Sequence, residues 1–149
     1  MIRVIVVDDH PLVRHGVEVL LERIDDIKVV GQAANGEEAI ELAKALTPDV
    51  VVMDVAMPRM NGIQATERIC ANDKDVKVLL VSVLDSRDFV EKGLEKGAKG
   101  YLLKSALFTH LIPAIYAVHK SEIYLCPEIS RWGKTWNQLV MRLATREVP

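Results

Sequence analysis

Asp8 and Asp9 close the apolar run Val4-Ile5-Val6-Val7, Asp54 closes Val50-Val51-Val52-Met53, and Lys104 closes Tyr101-Leu102-Leu103. Three carboxylates gathered in one place repel one another unless a cation joins them, and an all-oxygen acidic cluster suits Mg²⁺. A lysine on the same edge adds a positive charge that holds an anion. Carboxylates, a hard divalent ion and a lysine together make a phosphoryl site, provided the fold gathers them.

The surrounding pattern predicts that it does. Strand-like runs fall at about 2–8, 27–33, 49–54, 76–82 and 98–103, and their unbroken apolar character is that of strands buried on both faces. Helical patterns alternate with them. The first carries Val13, Val17, Leu20, Leu21 and Ile24, and the second opens at Asn35 with Glu38 three residues on, a capping-box-like start. The third follows Asn61-Gly62, the fourth follows Asp85-Ser86, and the fifth holds Leu111, Ile112, Ile115 and Val118. Strict alternation predicts an α/β fold, a doubly wound five-stranded parallel sheet of order 2-1-3-4-5. The strands ending in Asp9 and Asp54 then lie side by side at the switch point, where such sheets bind ligands.

Two residues interrupt the helices. Pro113 falls inside the fifth pattern, so that helix either starts near Thr109 or bends. Gly93 in the fourth helix costs about 1 kcal/mol relative to alanine; it reads either as a loosened helix or as a packing constraint.

The 149 residues suit one domain with an appendage, and half are hydrophobic with a net charge of −2. That balance excludes nucleic-acid binding by overall electrostatics. Residues 131–149 differ: Arg131, Lys134, Arg142 and Arg146 stand against Glu147 alone. Cys70 and Cys126 fit no metal-ligand spacing and read as small buried residues of a reducing compartment. No stretch is long enough to span a membrane and no signal segment is evident, so the expected location is the cytoplasm. His10, His15, His110 and His119 are scattered and read as surface or capping residues rather than as a metal cluster.

After an extended piece at Ile123-Tyr124-Leu125, Trp132, Trp136, Leu139, Val140 and Leu143 make one apolar helical stripe opposite a basic face. This helix either packs back on the domain or faces a partner, with the first reading favoured.

Helix capping accounts for one residue of Asp8-Asp9-His10-Pro11, but not for two acids together with Asp54. In Asp54-Val55-Ala56-Met57-Pro58-Arg59-Met60-Asn61-Gly62 a strand end passes through a proline loop into a helix, and the Ala56 carbonyl is well placed as a further metal ligand. With VDDHPLVRHGV, AANGEEAIELA, PDVVVMDVAMPRMNG, VKVLLVSVLD and GAKGYLLKS, residues 1–126 resemble the receiver domain of bacterial two-component response regulators, a flavodoxin-like fold. The wording is nearest the NarL/FixJ subfamily, whose members usually carry a LuxR-type helix-turn-helix output.

The resemblance implies that Asp54 is the phosphoacceptor, attacking a phosphohistidine on a sensor histidine kinase. It implies that Asp9, assisted by Asp8, holds Mg²⁺ together with Asp54 and the Ala56 carbonyl. Ser82 and Lys104 then bind phosphoryl oxygens, and Tyr101 occupies the switch-aromatic position, free to turn into space that Ser82 vacates. The alternatives are an ordinary strand-end hydroxyl for Ser82 and a static, half-buried ring for Tyr101.

Leu143-Ala144-Thr145-Arg146-Glu147 is similar to the opening of the family's helix-turn-helix, and no recognition helix follows. Residues 127–149 are accordingly expected to be an amphipathic linker helix leading toward an absent DNA-binding domain. The chain is then either a shortened transcription factor or a natural protein that has lost its output. DNA is reached only through that domain. A homodimer is expected through the fifth-helix region and the apolar tail stripe. Lys104 precedes Ser105 where many receivers have proline, and Pro113 replaces the usual polar residue of the last receiver helix.

Three rival functions are weaker. A stand-alone receiver acting through protein contacts leaves the tail's likeness to an output domain without a use. A phosphatase of the haloacid-dehalogenase type needs a second acid where Ala56 stands, and an FMN phosphate would be repelled by Asp8 and Asp9. The expected role is a switch with self-catalysed phosphoryl transfer and slow hydrolysis, rather than an enzyme.

Overall fold

The computed structural model describes residues 1–83, 86–130 and 134–145. Its strands are β1 (Ile2–Val7), β2 (Ile27–Ala33), β3 (Val50–Asp54), β4 (Lys77–Ser82), β5 (Gly100–Leu103) and β6 (Tyr124–Leu125). Between and after them run α1 (Pro11–Glu22), α2 (Gly36–Leu46), α3 (Gly62–Asn72), α4 (Arg87–Glu95), α5 (Leu107–His119), α6 (Pro127–Ser130) and α7 (Lys134–Thr145). All strand pairs are parallel, in the order β2-β1-β3-β4-β5-β6.

The sheet therefore has six strands, not five. The extended piece near Tyr124 docks on the free edge of β5: the Tyr124 N–H donates to the Lys99 carbonyl at 3.0 Å and the Cys126 N–H to the Tyr101 carbonyl at 3.4 Å. Two paired residues suffice, because an open strand edge offers unsatisfied backbone groups to any extended neighbour. His110 Nδ1, 2.7 Å from the Tyr124 hydroxyl, ties β6 to α5.

Every residue of β3 and β5 is buried, as continuous apolar runs between two helical layers require. α1 packs against α5, whereas α2, α3 and α4 form a contiguous row, so helices cover both faces. Asn35 caps α2 by accepting from the Glu38 N–H at 2.9 Å, and Glu38 reaches back to the Ala34 N–H. α5 runs unbroken from Leu107 through the exposed Pro113, so the start near Thr109 is not observed. Thr109, whose carbonyl loses its helical donor to that proline, is exposed.

The tail helix packs back on the domain. Trp136, Val140 and Leu143 of α7 are buried against α4, and Ile129 of α6 joins the same core. Trp132 lies outside the described residues. No helix among the described residues is long and apolar enough to cross a membrane.

Candidate functional site

Strand register assembles the site. Val7 stands opposite Met53, so Asp8 follows beside Asp54, the last residue of β3. Asp54 stands opposite Val81, and Ser82 opposite Leu103, so Ser82 and then Lys104 continue the same carboxyl edge. Asp8 and Asp54 are 4% and 3% exposed, and Ser82 is wholly buried.

Lys104 Nζ lies 3.0 Å from Asp8 Oδ2 and 3.1 Å from Asp54 Oδ2, bridging the two buried acids. Burial raises the Asp54 pKa above its ordinary 3.8, and the nearby Asp8 charge adds to this, against the pull of Lys104. For Lys104 burial disfavours the charge, but the hydrogen bonds to Asp8 and Asp54 outweigh it and the ammonium pKa is raised. One half-buried lysine thus faces two buried acids, with Asp9 adjoining.

The opposite oxygens face a different group. Asp8 Oδ1 accepts from the His10 backbone N–H at 2.8 Å, and His10 Nδ1 lies 2.9 Å from it. The same nitrogen is 3.1 Å from Asp9 Oδ1. Apart from that ion-pair approach of His10, Asp9 Oδ1 is closed off from solvent and accepts no well-formed hydrogen bond. A buried carboxylate oxygen so poorly satisfied fits a place for a cation. Asp8, Asp9, His10 and Asp54 each offer a ligand atom, all within 4.8 Å of one another, so this acidic pocket can hold a metal.

The loop after β3 is held by α3. Asn61 accepts from the Gln64 N–H at 2.9 Å while its own N–H donates to Gln64 Oε1 at 3.0 Å, a complete capping box. Gly62 is pressed on the site's backbone: a Cβ there would stand 2.3 Å from the Asp54 carbonyl oxygen. The exposed Ala56 follows Asp54 closely, its N–H donating to Asp54 Oδ1 at 3.3 Å.

Asp8, Asp9, Asp54 and Lys104 thus converge, with Ser82 at the neighbouring strand end. Tyr101 is elsewhere, in mid-β5 and fully buried rather than half-buried. Its ring lies 3.9 Å from where a Cβ on Gly93 of α4 would be, and that Cβ would meet Leu80 at 2.8 Å. Gly93 is therefore a packing constraint. Two contacts were not legible beforehand: the ring of His10 on the acids, and Arg14 Nη1, which donates to the Asp8 carbonyl at 2.6 Å. His10 is exposed and occupies the N-cap of α1 by its backbone, as expected; its side chain makes no cap bond and lies instead among the groups that could hold a metal ion, which the sequence reading did not include. Its adjacency to Asp9 was the available signal.

Residues 4–116 match the model of the response regulator receiver domain. The chain belongs to this family. It is 44% identical over 131 residues to the response regulator GacA of Pseudomonas viridiflava, covering 88% of this chain and 61% of GacA. It is 39% identical to the response regulator UvrY of Escherichia coli K12, covering 88% of this chain and 60% of UvrY.

Among solved structures, it superposes on a LuxR-family two-component response regulator from Aurantimonas sp. SI85-9A1 with a TM-score of 0.83 at 38% identity. That match covers 87% of this chain and 92% of the other. A structure of two RcsB dimers bound to two parallel DNAs matches with a TM-score of 0.79 at 26% identity, over 87% of this chain and 66% of RcsB. The chain spans about three fifths of the length of the curated relatives it matches.

Proposed function

We propose that this chain is the phosphoacceptor module of a two-component response regulator, with Asp54 receiving the phosphoryl group from a sensor histidine kinase. The observation that carries this reading is the buried Asp54 carboxylate, 3.1 Å from Lys104 and adjoining Asp8 and Asp9. Asp8, Asp9, Asp54 and the Ala56 carbonyl are the residues that hold Mg²⁺. When bound, the ion neutralises charge on the phosphoryl oxygens.

An Asp54 oxygen attacks phosphorus as the P–N bond of phosphohistidine breaks, its electron pair leaving on the imidazole, and an acyl phosphate results. Lys104 transfers one of its hydrogen bonds from the carboxylates to a phosphoryl oxygen. Ser82, at the next strand end, donates its hydroxyl to another. Tyr101 responds to the altered position of Ser82 and passes the change to α4, against which its ring lies; the shift is one of population between two packings.

The output on this reading is a transcriptional helix-turn-helix that binds DNA and is reached through residues 127–149; the LuxR-family regulator and the DNA-bound RcsB among the similar structures support it. Being a switch, the chain is not an enzyme with a diffusible substrate. A homodimer is supported by RcsB, and the α5 region supplies an exposed apolar side chain in Phe108. The apolar tail stripe no longer argues for a dimer contact, since Trp136, Val140 and Leu143 are used against α4. Sedimentation that stays monomeric with and without phosphorylation refutes the dimer.

Intact-mass spectrometry after incubation with a small phosphodonor tests the central claim. A single phosphoryl adduct that needs Mg²⁺ and is lost in Asp54→Asn supports it. Folded protein without an adduct under any condition, including incubation with phosphorylated kinase, overturns it.

A further inference from the structure

The two oxygens of Asp8 are divided between two cationic or hydrogen-bonding groups. Oδ2 belongs to Lys104, which also holds Asp54 Oδ2. Oδ1 belongs to His10, whose ring nitrogen Nδ1 also faces Asp9 Oδ1. An ion entering between the acids is excluded from the Lys104 side by charge, so it approaches from the Oδ1 side, and there the imidazole is waiting. The His10 backbone is fixed by its 2.8 Å hydrogen bond to Asp8 Oδ1, whereas its side chain is 63% exposed. The ring is therefore anchored at its root and free to tilt without losing buried contacts.

We propose that His10 sets the metal preference of the acidic pocket, adding a nitrogen ligand that lets the site take Co²⁺, Ni²⁺ and Zn²⁺ more tightly than Mg²⁺. This rests on the reading of Asp8, Asp9 and Asp54 as metal ligands. Mg²⁺ is a hard ion that keeps water and oxygen ligands, and it gains little from an imidazole. The later first-row ions accept imidazole nitrogen readily, and their affinity rises toward the end of the row. A bound ion would take the Nδ1 lone pair, with the ring N–H on Nε2 toward solvent.

The discriminating measurement is equilibrium binding of Mg²⁺, Co²⁺ and Ni²⁺ to the full chain by calorimetry, with the visible spectrum of bound Co²⁺ recorded alongside. Wild type, His10→Ala, His10→Asn and Asp9→Ala are compared. Removing a supporting partner of a metal ligand already lowers affinity about 10–100-fold, so losing a ligand lowers it at least about tenfold. In His10→Ala we expect that loss for Co²⁺ and Ni²⁺, an altered Co²⁺ spectrum, and unchanged Mg²⁺ binding, which also reports that the variant is folded.

His10→Asn, which keeps a hydrogen-bonding group near the acids but no imidazole, behaves like His10→Ala. Equal Co²⁺ affinity in wild type and His10→Ala overturns the proposal. So does a parallel fall for Mg²⁺ and Co²⁺, which would make His10 only a hydrogen-bonding support for the acids. If Asp9→Ala weakens no ion at all, the acidic-pocket reading itself fails, a result separable from the failure of His10 alone.

Discussion

The carboxyl edge of the sheet and the α4–α7 flank are built on opposite principles. At the edge, three acids and a lysine are crowded, two of the acids buried, and the Asp54 pKa is raised because burial outweighs the pull of Lys104. On the flank, Trp136, Val140 and Leu143 bury apolar surface against α4, and the guanidinium carbon of Arg87 lies 5.3 Å from the Trp136 ring centroid. The edge holds its acids at a cost in stability, and on the proposed function it gains a cation and a phosphoryl group. The flank already has its stabilisation and gains nothing from a ligand. The proposed function lies where the fold leaves electrostatic stress unrelieved, and Gly93 lets α4 press closely on Leu80 and Tyr101 of the sheet.

This contrast predicts separable failures. Trp136→Ala should have the largest effect, about 3–5 kcal/mol against docking of α7, seen as rapid amide exchange over residues 134–145. Metal binding at the acidic edge should be untouched; a parallel loss there would mean the regions are not independent.

Gly62→Ala should strike the other region. Its methyl would meet the Asp54 carbonyl oxygen at 2.3 Å, so the loop must shift. Overpacking of this kind costs about 1–3 kcal/mol, read by chemical denaturation, and the phosphoryl adduct should be lost. A normal adduct would show that the loop tolerates displacement.

Asp54→Asn should stabilise the fold at neutral pH. Because the Asp54 pKa is raised, the folded state holds that proton more tightly than the unfolded chain does. Its favourable contribution is full below the ordinary value of 3.8 and is lost as pH rises through the folded value. The neutral asparagine escapes that loss, so the advantage of the variant should shrink on acidification. Denaturant unfolding at a series of pH values checks this, and a wild type more stable than the variant at pH 7 would contradict it.

Arg87→Ala should be the mildest change. A cation over an aromatic face at an exposed site contributes about 0.5–1 kcal/mol, so α7 should remain docked with slightly faster amide exchange. Release of α7 by this one substitution would mean that charge, not apolar burial, holds the flank.

Much of this was legible from residue patterns. Asp8, Asp54 and Lys104 each terminate an apolar run, and a run buried on both faces must end where the chain returns to solvent, so its last polar residue marks the functional edge. The capping of α2 by Asn35 was equally local. By contrast, β6 is two residues long, too short for any period to announce it, and it exists because the β5 edge was open. The apolar stripe of α7 was visible, but not that α4 is the surface it covers. Gly62 read as a turn residue, whereas its smallness is demanded by the backbone of another element. His10 read as a surface or capping histidine, and its adjacency to Asp9 was the only hint that its ring turns back on the acids.

The sequence by itself determined the alternation of elements, the chemical types at the strand ends and the family to which they belong. These follow from short-range periodicity and from residue identity, which need no partner to be read. The tertiary structure alone decided the sixth strand, the seat of α7 and the division of the Asp8 oxygens between Lys104 and His10. Each of those depends on which groups from distant parts of the chain are left unsatisfied beside one another, and only the packed chain brings them there.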